Sequence, residues 1–289
     1  MSSRPAENPV YSLAYSPCPN DTYIFAALTN GLLAGAPKVN VVLDDVEALN
    51  NAAREGRFEL TKVSYGAIPY LTEHYRILRA GGALGRGCGP LVIAKPRPDG
   101  AAPSLAELGP DAVYAIPGAY TTAYALLRLA LGREPRTREL RFDRIVDAVA
   151  AGEVDAGLII HESRFTYQQS GLAQSIDLGD WWESETGNAI PLGAILVRRD
   201  ISDADAHAVD EAIRRSLRFA REREDAIIDY VREHAFEMDD EVMRAHIGLY
   251  VNEYSDDVGP VGEASVEDFF ARAARAGLIP AGSRPEFVG

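Results

Sequence analysis

Cysteine is scarce in this chain: two in 289 residues, Cys18 and Cys88. Two are too few for a disulfide framework, and neither stands in a CxxC or Cys/His spacing, so no disulfide and no metal site is expected. Long apolar runs are missing too. No window reaches the ~18 consecutive apolar residues of a membrane span, and the opening MSSRPAENPV has no apolar h-region. A cytoplasmic chain is expected. Basic residues are in deficit, with 29 Lys plus Arg against 43 Asp plus Glu and a formal net charge of −14. That balance speaks against nucleic acid or an anionic membrane as partner, while leaving room for a local anion site. The GK[ST] ending of a phosphate loop and the GxGxxG spacing are both absent. There is no internal repeat, low-complexity tract or long linker.

What is present is core material. With 47% hydrophobic and 25% charged residues over this length, more than one compact unit is expected. The chain is organised around DAGLIIHESRFTY, residues 155–167. Residues 156–160 form an apolar run of the length of a strand buried on both faces, ending at His161 and Glu162. In open α/β sheets ligands bind at the carboxyl ends of parallel strands, so His161 stands where chemistry is usual. A lone histidine there can equally do no more than satisfy local backbone groups.

Taken in order, VYSLAYS reads as a strand, PCPNDT as a turn, and TYIFAALTNGLL as a helix capped by Asn20 or Asp21 and stopped by Gly31 and Gly35. Such a helix start either binds an anion or is an ordinary cap. KVNVVLDD predicts a strand and VEALNNAAREGRF an amphipathic helix ending near Gly56. In ELTKVSYGAIPYL the polar Thr61, Lys62, Ser64 and Tyr65 crowd a strand-like segment. A lysine beside hydroxyls can hold a carboxylate, and a solvated strand end would look the same. Residues 80–96 pack five glycines around Arg86 and Cys88, which implies tight turns or close backbone approach, in a crossover or a ligand loop.

After PRPDGAAPS the pattern restarts: a short helix SLAELG, a strand AVYAIPG, and a helix from AYTTAYALLRLAL. Gly118 to Thr122 thus mirrors Pro17 to Thr22, with the Thr121 and Thr122 hydroxyls and nearby amides directed at a cleft. Trp181 and Trp182 can form an aromatic wall or belong to core and rim. IPLGAILVRRD returns to the first lobe, and four later helical segments carry acidic and arginine residues that read as solvated outer faces.

Two α/β lobes, two crossovers and a helical C-terminal region predict a two-lobed, periplasmic-binding-protein-like (type II) fold with a ligand cleft between the lobes. One lobe takes 1–97 with 193–289 and the other 98–192, with crossings near 95–102 and 191–194. SPCPNDTYIF, LTKVSY, GGALGRGCGPLV, TTAY, AGLIIHESRFTY, DLGDWWE, PLGAILVRRD and HIGLYVNEYSDDVG together resemble the 1,4-dihydroxy-6-naphthoate synthase family of the futalosine route to menaquinone, over nearly the whole chain. The resemblance implies a cofactor-independent carbon–carbon lyase that splits cyclic dehypoxanthine futalosine, a small-molecule carboxylate. It implies His161 as general base, Lys62, Val63 and Ser64 with Thr121 and Thr122 as substrate-binding segments, and Ser16, Asn20, Asp21 and Thr22 as a cleft-lining turn. Glu162 could orient the His161 ring, but strand neighbours face opposite ways, which counts against that role. A solute-binding protein of the same fold and the sister chorismate dehydratase are the alternatives. Cys18 as nucleophile lacks an adjacent base. Oligomeric state is left open.

Overall fold

The computed structural model describes residues 10–235 and 239–289. The chain runs β1 (Val10–Tyr15), α1 (Pro19–Thr29), β2 (Lys38–Leu43), α2 (Val46–Arg54), β3 (Leu60–Ser64), β4 (Tyr75–Ile77), β5 (Ala83–Gly85), β6 (Leu91–Ala94), α3 (Leu105–Leu108), β7 (Val113–Ile116), α4 (Thr122–Leu131) and β8 (Arg136–Glu139). It continues with α5 (Ile145–Ala151), β9 (Ala156–Ile159), α6 (Ser163–Thr166), β10 (Ala173–Asp177), α7 (Leu178–Thr186), β11 (Ile190–Arg198), α8 (Asp203–Glu222), α9 (Ile228–His234), α10 (Asp240–Tyr250), α11 (Glu253–Asp256) and α12 (Gly259–Arg275).

Two sheets result. The first has the order β2-β1-β3-β11-β4 with β5 also on β11, and the second β10-β6-β9-β7-β8. In each, βαβ units supply parallel pairs, β1 with β2 and β3, and β7 with β8 and β9, while a strand arriving from the other lobe adds antiparallel. Parallel strands buried on both faces read as continuous apolar runs, and β9 and β6 are buried at every position. The two-lobed α/β architecture is the expected one. Its crossings are displaced, however. Strand β6 pairs with β9 and β10 in the second sheet, so the first crossing lies at residues 86–90 and not at 95–102. The Pro-rich stretch after β6 has the look of a linker, but the apolar LVIA before it needs sheet neighbours on both sides. The second crossing ends before Ile190, because β11 runs in the first sheet from that residue onward.

The glycines at the first crossing serve close approach. A Cβ on Gly89 would overlap the backbone of Gly179, and Gly87 holds a left-handed φ of 63°. Arg164 secures the segment by donating to the carbonyls of Gly89 (2.6 Å) and Gly87 (3.1 Å) while pairing with Asp177.

Helix α1 is buried from Pro19 to Leu28, packed against α8, α9 and α10. Its N-cap is Cys18, with Pro19 in the first turn, so Asn20 and Asp21 lie inside the helix and their side chains are released from capping. The C-terminal helices are therefore only half solvated. Helix α8 turns Val209, Ile213 and Leu217 inward, and α10 buries Met243, His246 and Tyr250. Helix α12 packs on both β11 and α4. Trp182 of α7, fully buried, meets Phe269 of α12 at 5.9 Å, so it is core and not a ligand wall. Among the described residues no helix is long and apolar enough to cross a membrane.

Candidate active site

Between the sheets lies a cavity lined by Ser16, Asn20, Asp21, Lys62, Val63, Ser64, Thr121, Thr122 and His161, together with Cys88, His246 and Tyr250. All the residues singled out from the sequence reach it except Thr22, whose hydroxyl turns back to the carbonyls of Cys18 (3.2 Å) and Pro19 (3.3 Å). His246, Tyr250 and Cys88 were not anticipated as cleft residues. The helical period of α10 gave its two no mark beyond that of an ordinary buried face.

His161 follows β9 with φ of 58°, the one non-glycine residue among those described with a left-handed backbone. Such a conformation costs a non-glycine residue about 1–2 kcal/mol and concentrates at functional positions. The ring lines the cavity, edge-on to Phe142 at 5.0 Å. Among the described residues neither ring nitrogen makes a hydrogen bond, so both are open to a ligand. Burial pushes its pKa from 6.5 down to about 4, Asp21 pulling it up and Lys62 pressing it further down. The imidazole is thus neutral over the physiological range and a weaker base than a free one.

The helix start at α1 is not an anion site. Asp21 occupies it, accepting from Ser16 Oγ (2.7 Å) and Asn20 Nδ2 (2.8 Å), and forms a buried ion pair with Lys62. Lys62 also donates to the Gly81 carbonyl at 3.3 Å, which leaves one of its three N–H donors for a ligand. Asn20 Oδ1 faces His246 Nε2 at 3.0 Å. Because Asn20 already donates through Nδ2, His246 carries its proton on Nε2. Burial lowers the pKa of His246 well below its ordinary value, and both His161 and Lys62 add to the effect.

The helix start at α4 differs. Thr121 is its N-cap, accepting from Tyr124 N–H (3.2 Å) and donating to Gly118 (2.8 Å), and Thr122 Oγ1 donates to the Leu192 carbonyl (2.8 Å) while accepting from Gly66 N–H (3.0 Å). Both hydroxyls are therefore committed to the fold and to lobe-to-lobe contact, and not directed at a ligand as the sequence suggests. The first turn of α4, at Thr122 and Ala123, also lines the cavity, and the amides of such a turn lack partners within the helix. Ser64 stands opposite, its Oγ accepting from Asn50 Nδ2 at 3.3 Å, so its own proton is available to a ligand. Cys18 is no nucleophile: burial and the nearby Glu162 and Asp21 carboxylates raise its thiol pKa well above normal. Burial likewise raises Cys88 to about 12.

A cavity with one neutral, unclaimed imidazole, a cluster of donors and an apolar lining suits proton abstraction from a small anionic ligand. Comparison with known proteins gives this arrangement a lineage. A family model described as menaquinone biosynthesis matches residues 11–275. A protein of Thermus thermophilus named 1,4-dihydroxy-6-naphtoate synthase is 51% identical over 277 residues, covering 96% of this chain and 98% of that protein. One of the same name from Streptomyces coelicolor is 44% identical over 274 residues, covering 93% and 94%. A solved structure from Archaeoglobus fulgidus superposes with a TM-score of 0.86 at 35% identity, covering 93% of this chain and 98% of its own. The alkanesulfonate-binding protein of Xanthomonas axonopodis, at 14% identity, TM-score 0.68 and 96% coverage of both chains, shares the periplasmic-binding-protein-like fold alone. The chain belongs to the menaquinone biosynthesis family.

Proposed function

We propose that this protein is a carbon–carbon lyase that converts cyclic dehypoxanthine futalosine into 1,4-dihydroxy-6-naphthoate and a three-carbon fragment of the ribose, with His161 as general base. The observation that carries the reading is the His161 ring, neutral and without a hydrogen-bond partner in the cavity, in a chain 51% identical to a protein named for that product. Proton abstraction by a neutral imidazole opens the substrate ring, the fragment leaves, and aromatisation drives the sequence forward. Base catalysis of this kind typically contributes ~10² to 10⁴ in rate. The substrate carboxylate is held by the first-turn amides of α4, the Ser64 hydroxyl and the remaining Lys62 donor. A bound carboxylate near His161 raises the imidazole's proton affinity, which offsets part of the depression that burial imposes.

Purified protein is incubated separately with cyclic dehypoxanthine futalosine and with chorismate, and products are followed by mass spectrometry. Formation of 1,4-dihydroxy-6-naphthoate from the first alone is expected. Turnover of chorismate would move the assignment to the sister dehydratase, and binding without turnover of either would make this a solute-binding protein.

A further inference from the structure

The carboxylate of Glu47, buried at 6% exposure on the first turn of α2, joins the support of a candidate substrate-binding residue to the opposite lobe. Oε1 accepts from the backbone N–H of Tyr120 at 3.0 Å, in the β7–α4 loop of the second lobe. Oε2 accepts from Asn50 Nδ2 at 2.9 Å. Asn50 in turn accepts from Ser64 N–H at 2.9 Å and donates to Ser64 Oγ. The facing loop is shaped to fit: a Cβ on Gly118 would overlap the Glu47 carboxyl. Tyr120 is further held by the first lobe, with Arg54 over its ring at 4.5 Å and Tyr70 edge-on at 5.5 Å. Burial raises the Glu47 carboxyl to about 7 against the pull of its two hydrogen bonds.

We propose that Glu47 is a positioning residue that couples lobe contact to substrate binding: the chain Tyr120 N–H, Glu47, Asn50, Ser64 fixes the Asn50 amide so that Ser64 keeps its proton for the ligand. This rests on the binding role proposed for Ser64. The donor and acceptor sense of the chain is set at both ends of the Asn50 amide, where Nδ2 donates to Glu47 Oε2 and Oδ1 accepts from Ser64 N–H. Only then does Asn50 donate to Ser64 Oγ and leave the hydroxyl proton free.

The test compares wild type, Glu47→Gln, Asn50→Asp and the double variant. Each carries spin labels on cysteines introduced at exposed Lys38 and Arg136, since both native cysteines are buried. Glu47→Gln sets an N–H against Asn50 Nδ2, so the pair parts or the Asn50 amide flips, leaving Ser64 N–H unpaired and drawing the Ser64 hydroxyl proton; either way KM for cyclic dehypoxanthine futalosine should rise about tenfold with a broadened label distance. In the double variant the new amide at position 47 donates to the new carboxylate at position 50, which still accepts from Ser64 N–H. Label distance and Tm should therefore return to wild type, yet KM should stay raised, because that carboxylate also captures the Ser64 proton. Wild-type KM in Glu47→Gln, or a double variant whose KM recovers along with Tm, overturns the proposal. Should Glu47→Gln fail to fold, the double variant alone decides between these outcomes. If wild-type protein leaves the compound untouched, the proposed reaction has failed; the coupling is then read from label distances, and unchanged distances in Glu47→Gln would overturn it.

Discussion

The rings of His161 and His246 lie nearly parallel, 6.5 Å apart with 21° between their planes. One ends a strand of the second lobe and the other sits on a helix that packs against α1 of the first. Two imidazoles this close in a dry site disfavour a second proton, and burial lowers both pKa values, so both are neutral in the ligand-free protein. Their hydrogen bonding differs: His246 has Nε2 engaged with Asn20, while His161 is unclaimed. In the proposed reaction that asymmetry favours His161 as the base.

A pH profile follows. A base acts in its unprotonated form, so the His161 limb of kcat/KM should fall only as the pH drops through about 4, apart from a limb near 7 that Glu47 contributes through substrate binding. An inflection near 6.5 that persists in Glu47→Gln would show His161 to be solvated and would contradict the burial argument. The same shift bears on stability, and its sign is fixed by linkage. The folded pKa lies below the unfolded 6.5, so the contribution is complete above 6.5 and lost as pH falls toward 4. Wild type should lose more stability over that interval than His161→Asn.

His161→Asn also separates folding from chemistry. Asparagine tolerates the left-handed backbone that His161 holds at φ of 58°, so the variant should fold with Tm close to wild type while turnover drops by at least ~10². Turnover near the wild-type value would remove His161 from the mechanism.

The Asp21–Lys62 pair tests the electrostatic floor of the site. Both side chains are nearly inaccessible, at 4% and 7% exposure, so Asp21→Asn or Lys62→Met strands one buried charge and should cost about 3–5 kcal/mol in urea unfolding. Replacing both together should recover much of that loss, since a well-packed neutral pair replaces a costly ionic one. A double-variant loss equal to the sum of the two single losses would mean that the partners act independently.

The elements were legible because each rests on a local signal. The apolar run 156–160 became β9, and the helix read to end near Gly56 runs Val46–Arg54. The cleft residues Lys62, Ser64 and His161 were legible for the same reason, as polar side chains where apolar runs end. What the sequence hid were relations at a distance. Nothing in KVS announces that Lys62 is already paired with Asp21, 41 positions away, and nothing in TTAY announces that both hydroxyls are committed to backbone groups. His246 was hidden by its own helix, where a buried histidine among acidic and arginine residues has the pattern of an ordinary amphipathic face. The boundary near 97 was misread because loop composition is a weaker guide than the pairing needs of a buried strand.

Lobe movement is the last expectation, and the packing limits its size. The crossings at 86–90 and 187–189 are tied to each other, Arg86 donating to the Gly187 carbonyl at 2.8 Å and Gly87 N–H to Glu183 at 2.7 Å. Beside them Trp182 donates to the Ala189 carbonyl at 3.1 Å and packs on Phe269 of α12. Opening must therefore pivot at this buried aromatic contact, while the lobes part where Gly66 meets Thr121 and Thr122 and where Glu47 meets Tyr120. Those contacts are a few hydrogen bonds, each worth about 0.5–1.5 kcal/mol net, with the Tyr120 ring against Arg54 and Tyr70, so the ligand-free protein should populate open states that a ligand gripping both lobes depletes. Small-angle scattering should then give a radius of gyration that falls slightly on saturation with 1,4-dihydroxy-6-naphthoate. Trp182→Ala, which loosens the pivot, should enlarge that fall; a radius that ligand leaves unchanged in both proteins would mean that the cleft is preformed and that closure has no part in the reaction.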